Sequence, residues 1–236
     1  MTKIMLDAGH YGKYNPGSVS GYYESEMTWK LQTYLKAELE AYGFEVGVTR
    51  TNKDKDLAVY DRGQKAKGYD LFISLHSNAI NSEPTKRVVV IHPISGKGKD
   101  IAQKLGNTVL TTMNLSNDKY WYVQTTTRAL SSDKPKTDYY GVIRGAVAAG
   151  VPGIIIEHSF HTNKEACKWL MVDANIKKLA KAEAKTLAEH YKMIKKETNK
   201  KTYRVQVGAF STKAAATEQM KKIKAAGFEA CITSED

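Results

Sequence analysis

The sequence predicts an α/β protein: a three-layer α/β/α sandwich around a mostly parallel twisted sheet, followed by a small C-terminal β-α-β half-domain. Three observations carry this expectation. Short continuous apolar runs alternate with longer stretches of helical period, the pattern of strands covered by helices on both faces. Three of the helical stretches stop at a glycine: Gly43, Gly68 and Gly150. After residue 191 the composition changes abruptly, first to a lysine run and then to one short strand–helix–strand pattern.

Taken in order, residues 3–7 read as a first buried strand and 25–42 as a helix. Residues 44–50 (FEVGVTR) form a second strand, 57–67 a helix, and 70–75 (DLFISL) a continuous apolar strand. VVVIH at 88–92 is another strand, followed by a helix over about 99–113. The polar stretch 114–137 has no clear period. A helix over 138–149 leads into GIII at 153–156, the last buried strand of the sheet. Helical patterns then run over 163–171 and 174–195. In the second, Ile176, Ala180, Leu187, Tyr191 and Ile194 form a stripe that packs against the main body.

Residues 192–201 (KMIKKETNKK) form a basic linker. In the tail, Tyr203, Val205 and Val207 alternate with polar residues as a half-buried strand. Ser211 caps a helix over 212–225, and Phe228, Ala230 and Ile232 make a second strand. A unit of about 35 residues buries little of its own face. The expected organisation is therefore a main α/β domain at 1–191, a linker at 192–201 and a half-domain at 202–236.

Composition excludes several classes. The 236 residues are 42% hydrophobic, enough to bury a core, so a wholly disordered chain is excluded. Two cysteines, Cys167 and Cys231, do not make a disulfide scaffold; both are expected to be small buried or part-buried side chains. No apolar run approaches the roughly 18 residues of a membrane span. The net charge of +11 calls for a polyanionic partner, and four of those charges sit in the linker. No nucleic-acid motif accompanies them, so specific nucleic-acid binding is not expected.

Four segments carry chemistry, each at a strand end or in the loop beyond it. They are Asp7-Ala8-Gly9-His10-Tyr11-Gly12, Gly21-Tyr22-Tyr23-Glu24-Ser25-Glu26, Phe72-Ile73-Ser74-Leu75-His76-Ser77-Asn78-Ala79 and Ile154-Ile155-Ile156-Glu157-His158-Ser159. Two histidines and one carboxylate are the ligand set of a catalytic zinc site with an open position for water. His10, Glu24 and His76 could supply it, with Glu157 as general base. Spacing alone does not separate this reading from hydrogen-bonded structural histidines.

Together and in this order, DAGHYG, GYYESEMTWKL, DRGQKAKGYDLFISLHSNA and IIIEHSFHTN resemble the zinc-dependent N-acetylmuramoyl-L-alanine amidases of the amidase_3 family, over about residues 3–190. The resemblance implies one Zn2+ per chain held by His10, Glu24 and His76, with Glu157 as catalytic base. It also implies peptidoglycan as substrate, cleaved between the lactyl group of N-acetylmuramic acid and L-alanine. Arg144, Arg128 and Asn78 are candidates for substrate contact, the arginines through stem-peptide carboxylates. Arg62 resembles a recurrent arginine of the family, for which a structural ion pair is the plainer reading. Tyr11, Ser77, His158 and His161 depart from the family pattern. Strand alternation turns His158 away from the Glu157 face into a structural role, whereas His161 is expected to be a solvated loop side chain. His92 and His190 are expected to be structural or exposed, and Glu26 a first-turn helix charge.

The tail (YRVQVGAFSTKAAATEQMKKIKAAGF) resembles one half of a sporulation-related repeat domain, a glycan-binding family. Two chains could supply the two halves, giving a homodimer. A phage endolysin or a bacterial lytic enzyme is expected. It would be synthesised in the cytoplasm without a signal peptide and act on the wall after release, with no membrane insertion. The competing reading is a non-catalytic cell-wall glycan-binding protein.

Overall fold

A computed structural model describes residues 1–81, 85–116, 118–195 and 205–233. The chain forms two compact units, 1–196 and 197–236.

The first unit is built on a six-stranded sheet of order β2-β1-β3-β8-β4-β5. Its members are β1 (Lys3–Ala8), β2 (Glu45–Val48), β3 (Leu71–Asn78), β4 (Val88–Ile91), β5 (Val123–Thr126) and β8 (Gly153–Phe160). A separate hairpin pairs β6 (Ala129–Ser131) with β7 (Lys134–Asp138). Strands β2, β1, β3 and β8 run parallel; β4 is antiparallel to β8 and parallel to β5.

Both faces of the central strands are buried, which is why they read as unbroken apolar runs. Ile4, Leu6, Ile73, Ile154 and Ile156 face one side. There they pack on α1 (Glu24–Ala41), α3 (Lys99–Met113) and α6 (Asp173–His190), through Leu31, Leu35, Leu105, Leu179 and Leu187. Met5, Phe72, Val89 and Ile155 face the other side, against Val142, Ile143 and Ala146 of α4 (Gly141–Ala148). Helix α5 (Lys164–Met171) begins at Asn163, whose side chain accepts from the Glu165 and Ala166 amides. The short helix α2 (Val59–Gln64) crosses α4 backbone to backbone: a Cβ on Gly63 would lie 2.1 Å from the Val142 carbonyl oxygen, and one on Gly145 2.1 Å from that of Tyr60.

Three expectations need correction. The stretch 114–137 holds β5, β6 and most of β7, short strands of mainly polar residues that an apolar-period test passes over. The tail strands expected over 203–207 and 228–232 do not form at the described residues 205–210 and 226–233; residues 203 and 204 lie outside the described range. The second unit holds α7 (Lys213–Ala225), capped by Thr212 and not by the expected Ser211, and buries none of that helix's side chains. Val205 and Phe228 stay 87% and 69% exposed, because one helix offers two isolated strands no sheet to join. Cys231, expected to be at least part-buried, is exposed; Cys167 is buried as expected.

Candidate metal centre

The sheet's parallel strands all deliver their C-terminal ends to one edge, where sites form in open α/β sheets. The end of β1 is fixed first. Asp7 is fully buried and accepts from Thr49 Oγ1 (2.6 Å) and Ser74 Oγ (2.7 Å), with Arg62 Nη1 at 3.7 Å. Arg62 also pairs with Asp56 and donates to the Leu57 and Ala8 carbonyls, confirming its structural role. Arg50 donates to the carbonyls of Ala8 and His10. This framework presents His10 at φ 60° on the loop beyond the strand.

Glu24 opens α1, where a carboxylate is favoured by the helix dipole. It is 2% exposed and stands between the two histidines: His10 Nε2 lies 3.2 Å from Oε2 and His76 Nδ1 2.9 Å from Oε1. One ligand atom from each of the three side chains falls within 4.8 Å of the others. Gly9 makes this possible, since a Cβ there would lie 2.3 Å from His76 Cε1. Burial works against charge on Glu24, but hydrogen bonds and charge from His10 and His76 hold its carboxyl well below the usual range. Burial likewise opposes a charged His76, yet the Glu24 contact, with Glu157 and Asp7 nearby, raises it to about 9.

Glu157 pairs in register with His76 on the adjacent strand, so both project from the same face. Its Oε2 is buried without a hydrogen-bond partner. Burial raises its pKa to about 7; His76 opposes the shift, Glu24 adds to it and His158 opposes it. An orphaned carboxylate oxygen beside a His–Glu–His set is what a site built for a cation and a water would leave, so the donor set fits a zinc ion.

Around this group lies a network that the sequence did not disclose. Asn15 Nδ2 donates to Glu24 Oε2 (2.7 Å) and lies 3.1 Å from His10 Nε2. The Ser77 amide donates to Glu24 Oε1 (3.0 Å), while Ser77 Oγ bridges Tyr22 Oη (2.7 Å) and His161 Nδ1 (2.9 Å). His161 is therefore not a solvated loop side chain. Ser159, at φ 65°, turns the chain back so that the His161 amide meets the Asn78 carbonyl and its ring stacks on Tyr22. Asn15 sits at positive φ just before Pro16, and an Asn-Pro pair is the turn signal that could have pointed to it. His158 is buried as expected, between Glu183 (2.9 Å) and the His76 carbonyl (2.8 Å).

The remaining candidates lie elsewhere in the network of contacts. Arg144 donates to the Asp138 and Tyr139 carbonyls, and Arg128 stacks on Tyr139 at 3.6 Å, both at the β7–α4 junction. Asn78 accepts from the Ala79 amide and shapes the turn after β3. His92 is buried against the Pro93 carbonyl; His190 lies 3.6 Å from Asp100.

A mostly parallel α/β sheet that brings two histidines and two carboxylates together beside its strand ends has the make-up of a hydrolase with a candidate metal site. The chain belongs to the Amidase_3 family of N-acetylmuramoyl-L-alanine amidases, which it matches over residues 4–189. Residues 174–234 match the SPOR domain, a span that takes in α6 of the first unit. Among curated relatives, the amidase CwlM of Bacillus licheniformis is 26% identical over 240 residues, covering 100% of this chain and 86% of the relative. The endolysin of Bacillus phage SPP1 is 27% identical over 204 residues, covering 83% and 69%. In fold, the chain is similar to the catalytic domain of CwlV from Paenibacillus polymyxa, with TM-score 0.67 and 18% identity over 82% of this chain and 100% of that one.

Proposed function

We propose that this chain hydrolyses the amide between the lactyl group of N-acetylmuramic acid and the L-alanine of the stem peptide, using one zinc ion held by His10, Glu24 and His76. The observation that carries the reading is the convergence of those three side chains on one point, with the unpartnered Glu157 Oε2 beside them. Held by those three side chains, a zinc ion would supply Lewis-acid polarisation of the lactyl carbonyl and would lower the pKa of a bound water to about 7.

The protein's own groups do the rest. Glu157, raised towards neutrality by burial, accepts a proton from the attacking water as its oxygen bonds to the carbonyl carbon. The C–N bond then breaks, and Glu157 returns the proton to the alanine nitrogen. A free carboxylic acid and a free amine result. Asn15 and the Ser77 amide hold the Glu24 carboxylate in one orientation, and His158 holds the strand end that carries His76.

The experiment measures zinc per chain and new amino termini released from purified walls. One zinc and activity that vanishes in Glu157→Ala, with zinc retained, support the reading. Wild type that binds no zinc and releases no amino termini refutes it, and leaves a wall-binding protein.

The SPOR match supports peptidoglycan attachment by the C-terminal region. Its exposed Val205, Val207, Phe228 and Ile232 favour completion of that unit by a second chain. Light scattering of the full chain tests this: a dimer is expected, and a monomer at all concentrations refutes it.

A further inference from the structure

We propose that Arg87 is a specificity-determining residue that receives a carboxylate of the stem peptide on the amine side of the scissile bond. The inference rests on the amidase reading and extends it to a substrate contact that the four signature segments do not contain.

Arg87 immediately precedes β4, the strand beside β8. Val89 and Glu157 are register partners, so they share a face. Arg87, two residues before Val89, falls on that face too. Two contacts support the placement. Its Nε donates to Oε1 of Gln124 at 2.7 Å, and Gln124 is the β5 partner of the same Val89. Its guanidinium carbon also lies 5.2 Å from the centroid of Phe160, which packs in one cluster with Val89. The Tyr122 ring centroid lies 5.9 Å from the same carbon.

The guanidinium of this part-buried residue is thus oriented by one hydrogen bond and two rings, which is preorganisation. Among the described residues it makes that one hydrogen bond and no ion pair. The neighbouring cations differ. Lys86 pairs with Asp118 and Glu165, Arg62 with Asp56, and Arg50 and Arg144 are spent on backbone carbonyls. An arginine whose terminal nitrogens make no hydrogen bond or ion pair among the described residues is a ready bidentate receptor for a carboxylate. Reach agrees. Diagonal neighbours on adjacent strands have Cβ atoms about 7–8 Å apart. A carboxylate on the second residue beyond the scissile amide lies about 7 Å along an extended peptide.

The test uses the zinc-loaded full chain and two muramoyl-peptide substrates, identical except that the carboxylate nearest the scissile bond is free or converted to a carboxamide. Wild type is expected to favour the free carboxylate by about tenfold or more in kcat/KM, mainly through KM. Arg87→Gln should bring the ratio close to one, and Arg87→Lys should keep part of the preference as a point charge. Binding of both substrates to Glu157→Gln, with and without Arg87→Gln, gives the same comparison by calorimetry without turnover. Cleavage by wild type with no preference, or a preference unchanged in Arg87→Gln, overturns the Arg87 assignment alone. No cleavage and no binding of either substrate overturns it together with the amidase reading.

Discussion

Loading the metal-free protein with zinc should expel protons from the site in a number set by two side chains and by the water the ion binds. Burial resists charge on His76, but Glu24 at 2.9 Å and the further charges of Glu157 and Asp7 raise it to about 9. A ligating imidazole nitrogen must be unprotonated. At pH 8 a group titrating near 9 is about 90% protonated, so His76 should release about 0.9 proton. Glu157, titrating near 7, adds about 0.1 at pH 8 and about half a proton at pH 7, provided the dication ionises it. Titration calorimetry in buffers of differing ionisation enthalpy counts these protons directly. About two protons per chain are expected at pH 8, roughly one from the side chains and roughly one from a zinc-bound water titrating near 7, with zinc affinity rising as pH rises towards 9. Release of only the water's proton would show that His76 is neutral before zinc arrives. The Glu24–His76 contact would then not be the ion pair on which this reasoning depends.

Other outcomes follow from the same geometry. Glu157→Gln should lower kcat about 10²–10⁴-fold while zinc affinity, read by chelator competition, persists. Gly9→Ala places a methyl 2.3 Å from the His76 ring and should weaken zinc binding by more than about tenfold. Ser77→Ala strands Tyr22 Oη and His161 Nδ1 in a buried place and should cost about 1–3 kcal/mol in urea unfolding. In the metal-free protein, His76 and Glu157 both have folded pKa values above their ordinary ones. Each holds more protons folded than unfolded, so their joint contribution should fall as pH rises, from about 4.5 through about 9. Urea midpoints that rise between pH 7 and pH 9 would contradict this.

The alternation of apolar runs and helical stretches made most of the sheet legible, because burial on both faces removes polar residues from a strand. Direction was not legible: VVVI of β4 reads like its parallel neighbours, yet it runs opposite to β8. The strands of 123–138 escaped because they lie at an edge or in a hairpin and need no apolar run. In the tail, alternation at Val205 and Val207 did not produce a strand, because a strand needs a partner and among the described residues of that unit none pairs with them. At the site, His10, Glu24, His76 and Glu157 stood out as chemical types at strand ends. Asn15, Ser77 and His161 did not, since their contacts span up to 84 residues of sequence and arise only when β1, β3, β8 and α1 meet. The arginines Arg128 and Arg144 drew attention by charge, while their actual contacts are with Tyr139 and two carbonyls.

The crossing of α2 and α4 at Gly63 and Gly145 has a consequence for engineering. An interface built from side chains can absorb a substitution by shifting rotamers. Here peptide groups touch peptide groups, so the two helices can be moved apart but not repacked. A library meant to retune the enzyme would waste its variants at that seam. The β6–β7 hairpin, exposed from Leu130 to Lys136, is the part of this scaffold that tolerates rewriting over those residues.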